Sequence, residues 1–230
     1  MSSDAARTAR QFGDGPLSRA AARVYTLIVV ELLLLLACLP GLVPLVLLDP
    51  DASNIPLYAA CALPLGPALS AALYALHHQR PDLTDLRPAA AFRRGYRINL
   101  AGVLRIWVPL LAWLTVVAVN LAHLDVAAVP RWWAVPLVGV AAVATLVGTN
   151  ALVITSLFAF RARDVARLAL HFAVRAPGVS LGTVLLLAAS AAVTAVTSEA
   201  VLALAGSVCA LALLRVAAPM TATIRREFTA

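Results

Sequence analysis

Apolar runs closed by short polar stretches alternate along the whole chain. Val24–Leu48 gives way to the acidic loop Asp49–Pro56, and Leu57–His77 to the basic segment His78–Arg97. Ile98–Leu121 is followed by Ala122–Arg131, and Trp132–Phe160 by a second basic segment, Arg161–Pro177. Gly178–Thr197 and Ala200–Pro219 close the series, separated by little more than Ser198-Glu199. Each run is continuously apolar, without period-two alternation, and about 20 residues is enough for a helix to cross a hydrocarbon core of about 30 Å. Lipid offers no partner to backbone N–H and C=O groups, so spanning segments are helices or closed barrels. Unbroken apolar character selects helices. The expected fold is all-α: a polytopic transmembrane bundle of six spans over 24–219, with tails 1–23 and 220–230 and amphipathic helices in the connecting segments.

Punctuation inside the runs refines this. Pro40, Gly41 and Pro44 are expected to break the end of the first span, and Pro64 with Gly66-Pro67 the second. Trp132–Phe160 is long for one span and is expected to begin with an interfacial turn before Pro136. In the second basic segment Arg163, Arg167, His171 and Arg175 recur every four residues, while Val165, Leu168, Ala169 and Phe172 take the other face. That pattern predicts a helix lying in the headgroup plane. The two basic segments also resemble each other. Phe92 precedes Gly102 by ten residues and Phe172 precedes Gly182 by ten, which suggests an internal duplication.

Composition supports lipid as the solvent: 62% of residues are hydrophobic and only 13% charged, against about 25% charged in a soluble domain. The net charge is +7, all of the basic side chains being arginine. These arginines cluster in the tails and in the two basic segments, whereas the intervening loops hold only Arg131. Topology accounts for the charge, and no nucleic-acid partner is expected. The positive-inside asymmetry predicts both termini and both basic segments in the cytoplasm, in a multi-pass protein of the plasma (inner) membrane. The first apolar run is too long for a signal peptide and lacks a small-residue cleavage site. Trp132 and Trp133 suit the opposite aromatic belt.

Candidate chemistry is sparse. Cys38, Cys61 and Cys209 lie in apolar runs without a CxxC, so neither a disulfide framework nor a metal site is expected. His77 and His78 have no carboxylate or thiol at ligand spacing, and His123 and His171 are isolated. No GxSxG, HExxH, P-loop or Rossmann pattern occurs, so neither an enzyme nor a cofactor is expected. Two charges fall inside spans. Glu31 and Arg105 each lie seven residues beyond the start of a span, at Val24 and Ile98, hence about 10 Å deep. A charge at mid-depth costs about 2.5–3.5 kcal/mol and is rarely left unpaired. An ion pair between them is expected, with Arg215 as the rival partner for Glu31 and snorkelling as the alternative for Arg105.

Two stretches carry a family resemblance. Gly66-Pro67-Ala68-Leu69-Ser70-Ala71-Ala72-Leu73-Tyr74 is followed, after a charged stretch, by Phe92-Arg93-Arg94-Gly95-Tyr96-Arg97-Ile98-Asn99 and then Trp107. This resembles the YesL-like integral membrane family, itself named for unknown function, over about residues 24–113. Arg93 stands where that family usually has Trp, and Glu31 where it often has Asn. The resemblance implies a non-enzymatic accessory of a bacterial carbohydrate-uptake or envelope system, partnered by transport-system membrane subunits. A small solute transporter or channel subunit is the alternative. Gly66, Pro67, Ala68 and Tyr74 read either as a close-packing helix face or as a break exposing carbonyls to a cavity. Phe92, Arg93, Arg94, Tyr96, Arg97 and Asn99 read as a docking helix for anionic headgroups or for a partner.

Overall fold

A computed structural model describes residues 16–49, 51–78, 87–197, 201 and 204–228. The tail before residue 16, the stretch 79–86 with Arg80, and the Ser198-Glu199 turn lie outside them. All regular structure among the described residues is helical: α1 (Pro16–Leu47), α2 (Ile55–Cys61), α3 (Leu65–His77), α4 (Pro88–Ala122), α5 (Ala134–Leu157), α6 (Ala162–Arg175), α7 (Pro177–Val196), α8 (Gly206–Val216) and α9 (Ala218–Phe228). Short 3-10 turns at Ala52–Asn54 and Arg131–Trp133 precede α2 and α5. At the first turn hydrogen bonding from the Ser53 side chain, and then from the Ser53 amide at 2.7 Å, holds the Asp51 carboxyl below its ordinary value. The second turn carries the stacked, exposed Trp132–Trp133 pair where an interfacial turn was expected.

Five segments are long and apolar enough to cross a membrane: 17–47, 52–77, 88–122, 131–157 and 177–196. Their outward faces are apolar, with Leu32, Leu36, Val43, Leu181 and Leu185 all more than half exposed. The sixth run differs from expectation. Its described helix, α8, has 11 residues, about 16 Å at the usual rise and too short alone for a 30 Å core; only together with α9 is it long and apolar enough to make a sixth, broken span. The chain then bends by 52° into α9. Ala217 closes α8, and Pro219 falls in the first turn of α9, where its missing amide costs no bond within that helix.

Two other boundaries move. α1 continues through Pro40 and Pro44 to Leu47, although each proline forfeits one backbone bond. Gly41 is instead where α1 meets the end of α2; a Cβ there would collide with the Cys61 carbonyl. α4 is one helix of 35 residues, about 52 Å long. From Pro88 on, the first basic segment is therefore the opening of a membrane helix rather than an in-plane connector. The second basic segment does form a separate helix, α6, with Val165, Ala169 and Phe172 buried and Arg163, Arg167, His171 and Arg175 exposed. The two look-alike segments thus differ in form. Even so, Gly102 and Gly182 both face the helix that follows, touching Thr155 of α5 and Val216 of α8.

The core lies where α3, α4 and α5 meet. On α3, Gly66, Pro67, Ala68 and Ser70–Leu73 are buried; on α5, so is every residue from Asn150 to Ser156. Only a helix surrounded by others buries a full two turns in this way.

Candidate functional site

The family-like residues of α3 and α4 face each other. Gly66 lies under the Trp107 ring, where a Cβ would come within 2.6 Å of Cγ. Gly95 lies equally close to Tyr74, at 2.7 Å from its Cβ. Between these contacts Asn99 Nδ2 donates to Ser70 Oγ at 3.2 Å and to the Ser156 carbonyl at 3.1 Å. Ser156 Oγ lies 2.9 Å from Ser70 Oγ and 2.6 Å from the Leu152 carbonyl. Positions 66, 70 and 74 are four residues apart, so one stripe of α3 presents glycine, serine and tyrosine in turn to α4. Pro67 and Ala68 are buried beside that stripe.

The helix breaks at Ala62–Pro64, and Gly66-Pro67 falls in the first turn of α3, where proline's missing amide costs no intrahelical bond. The Ala62 carbonyl at the break accepts Trp107 Nε1–H at 3.0 Å as well as the Leu65 amide. That carbonyl is therefore satisfied by protein groups. Sequence singled out Gly66, Tyr74, Asn99 and Trp107, but neither Ser156 nor the Ala62 carbonyl. Ser156 sits in an uninterrupted apolar run, and no spacing pattern marks it as the third member of the cluster.

Glu31 and Arg105 do not pair. Glu31 Oε2 accepts the Ser207 amide at 2.6 Å, at the start of α8, and Oε1 is buried with no hydrogen-bond partner. Arg105 is exposed and borders a cavity with Thr155, Phe160 and Arg161. Equal depth is not equal direction: Glu31 and Leu34 share the face of α1 toward Gly206, whereas Arg105 faces the corner between α5 and α6. Arg215 lies in the last turn of α8, at the opposite end from Ser207, and is not the partner either.

The docking residues separate into two groups. Phe92 is buried in the core and Asn99 belongs to the serine cluster. Arg93, Tyr96 and Arg97 line a lateral groove of about 690 Å³ whose other wall is Leu33, Leu36, Ala37 and Pro40 of α1. Arg94 is exposed and is not among the residues that line it. At the end of α3, His78 stacks on Tyr74 at 4.0 Å, and Arg225 Nη2 lies 3.1 Å from His77 Nε2. Among the described residues no three His, Cys, Asp or Glu side chains are grouped to hold a metal.

Fold and site together define a multi-pass, all-α membrane protein. No family model matches the chain, and no curated protein and no solved structure matches it.

Proposed function

We propose that the chain is a non-enzymatic, YesL-like accessory protein of the bacterial plasma (inner) membrane, holding a membrane subunit of a carbohydrate-uptake or envelope system. The supporting observation is the α1–α4 groove. One wall is apolar, and the small side chains Ala37, Ala89 and Ala90 allow another helix to approach closely. The other wall ends in Arg93 and Arg97, both exposed and without a carboxylate partner among the described residues. The occupant is a transmembrane helix of the partner subunit that carries a carboxylate at the level of these guanidiniums. In this reading the N-terminus, the start of α4, α6 and α9 face the cytoplasm, in line with the arginine asymmetry.

Photo-cross-linking from position 36 in native membranes, read by mass spectrometry, tests the reading. The expected product is one stoichiometric membrane protein, lost when Arg93 and Arg97 are changed to Glu. Adducts with lipid alone overturn it.

One observation favours a second reading, a small solute transporter or channel subunit. Glu31 Oε1, Asn150 Nδ2, Thr155 Oγ1 and Thr183 Oγ1 are buried without hydrogen-bond partners, and such atoms inside a membrane bundle mark solute pathways in transporters. Flux of a sugar and ion panel into proteoliposomes tests it, and inert vesicles reject it.

A further inference from the structure

Arg105 stands between Leu104 and Ile106 in the apolar part of α4, and Arg161 forms the corner before α6. Both border one partly enclosed cavity of about 250 Å³. Neither has a carboxylate partner among the described residues. Asp164, the third residue of α6 and within its first turn, borders a different cavity with Arg167 and Leu168. Two guanidiniums around one small space repel each other unless something negative lies between them.

The rest of the wall also offers donors. Thr155 is 8% exposed, and its hydroxyl is buried without a hydrogen-bond partner. Ala162 is the first residue of α6, a helix of 14 residues with no side-chain cap. The Asp164 and Val165 amides bond the Arg161 carbonyl, while those of Ala162 and Arg163 have no acceptor within the helix and lie at the positive end of its dipole. Gly102 opposite leaves the wall without a side chain of its own.

We propose that the Arg105–Arg161 cavity binds a phosphate group, carried either by an anionic phospholipid or by free phosphate. Guanidinium forks match phosphate oxygens in pairs, and a helix N-terminus adds backbone donors. An unpaired arginine within the apolar part of a span is costly, and a bound anion offsets that cost. The volume falls below the range of about 300–1,000 Å³ typical of small-molecule pockets, which suits a single anionic group rather than a whole sugar or nucleotide. The site is separate from the α1–α4 groove, so its occupancy does not depend on the proposed accessory role.

The test uses the full chain purified in detergent. Native mass spectrometry and thermal unfolding are run with phosphatidylglycerol, phosphatidylcholine and inorganic phosphate. Wild type is expected to retain an anionic ligand, with phosphatidylcholine inactive. Arg105→Gln and Arg161→Gln should each weaken retention at least tenfold, and Thr155→Val several-fold, while Arg93→Gln leaves it unchanged. Stabilisation by phosphatidylglycerol but not by phosphate assigns the group to a lipid; stabilisation by millimolar phosphate assigns it to the free ion. Arg161 lies in a link between helices, so Arg161→Gln is the informative variant should Arg105→Gln fail to fold. Equal retention by wild type and Arg161→Gln, or no binding of either probe, overturns the proposal.

Discussion

Glu31 Oε2 lies 2.6 Å from the Ser207 amide, so a carboxylate on the first helix caps the N-terminus of a helix 176 residues further along. The first amides of α8 have no intrahelical acceptor, and they carry the positive end of its dipole. In water Ser, Thr, Asp or Asn next in sequence would serve them. Here the N-cap residue is Ala205, which has no side-chain acceptor, and α1 supplies the group instead. Gly206 makes this possible: a Cβ there would press on Leu34 at 3.1 Å and approach Glu31 Oε1 at 3.4 Å.

Removal of this cap should lower stability by an amount typical of helix caps. Glu31→Ala is expected to cost about 1–2 kcal/mol, and Glu31→Gln less, because an acceptor oxygen remains. Arg105→Gln should act independently, since the two residues share no partner; the double variant Glu31→Ala/Arg105→Gln should be additive within about 0.5 kcal/mol. Reversible unfolding in detergent measures all four proteins. Coupling well beyond that margin would falsify the separation of the two charges.

The error over Glu31 shows what the sequence could and could not settle. Apolar run length located five spans, because lipid thickness dictates it. The four-residue stripe Arg163, Arg167, His171 and Arg175 located α6, because a helix at an interface must sort its faces. Depth could be counted for Glu31 and Arg105, but the direction each faces depends on which helices pack together, and apolar runs look alike. The same gap hid Ser156, whose partners Ser70 and Asn99 come from two other helices. Prolines misled where they stood within helices: α1 runs through Pro40 and Pro44, whereas Pro219 falls in the first turn of α9. From Pro88 to Ala122 the chain forms one helix that also runs through Pro109, so the end of the basic segment and the span are continuous.

The Gly95–Tyr74 contact predicts a steric effect with a specific rescue. A methyl group on Gly95 would come within 2.7 Å of Tyr74 Cβ, near the rigid end of that side chain. Gly95→Ala is expected to destabilise by about 1–3 kcal/mol, as overpacking does. Tyr74→Gly, which removes that Cβ, combined with Gly95→Ala should recover part of the Gly95→Ala loss relative to Tyr74→Gly alone. A thermal-shift comparison of the three variants measures this, and a double variant whose loss equals the sum of the single losses contradicts the contact.

Asn99 should matter more for its donor than for its size. Its amide bonds two acceptors on two helices, Ser70 Oγ and the Ser156 carbonyl. Asn99→Ala is expected to cost about 1 kcal/mol, in keeping with interhelical hydrogen bonds in membranes. Asn99→Asp should cost more, since it sets an acceptor against the Ser156 carbonyl and introduces a charge. Folded yield and unfolding midpoint should rank wild type above Asn99→Ala above Asn99→Asp. A tolerated aspartate would show that the cluster is open to water.

Orientation is testable with single cysteines in a background lacking Cys38, Cys61 and Cys209, none of which forms a disulfide. Ala89, in the first turn of α4, and Ser53, in the turn before α2, are both exposed. They lie at opposite ends of the antiparallel α3–α4 pair, as the Gly66–Trp107 and Tyr74–Gly95 contacts require. If arginine-rich segments stay in the cytoplasm, a membrane-impermeant maleimide applied to intact spheroplasts should label Cys at position 53 and spare Cys at 89. Both should react after permeabilisation. The arginines of α9 belong to the same side as Ala89, because Arg225 reaches His77 at the end of α3, and the end of α6 lies there too, since His171 and Arg175 share a cavity with Thr223 and Glu227. Cys at Thr223 should therefore behave as position 89 does. Labelling at 89 with protection at 53 inverts the protein, whereas opposite behaviour at 89 and 223 breaks the six-span count by showing that α8 and α9 do not return to the arginine-rich side.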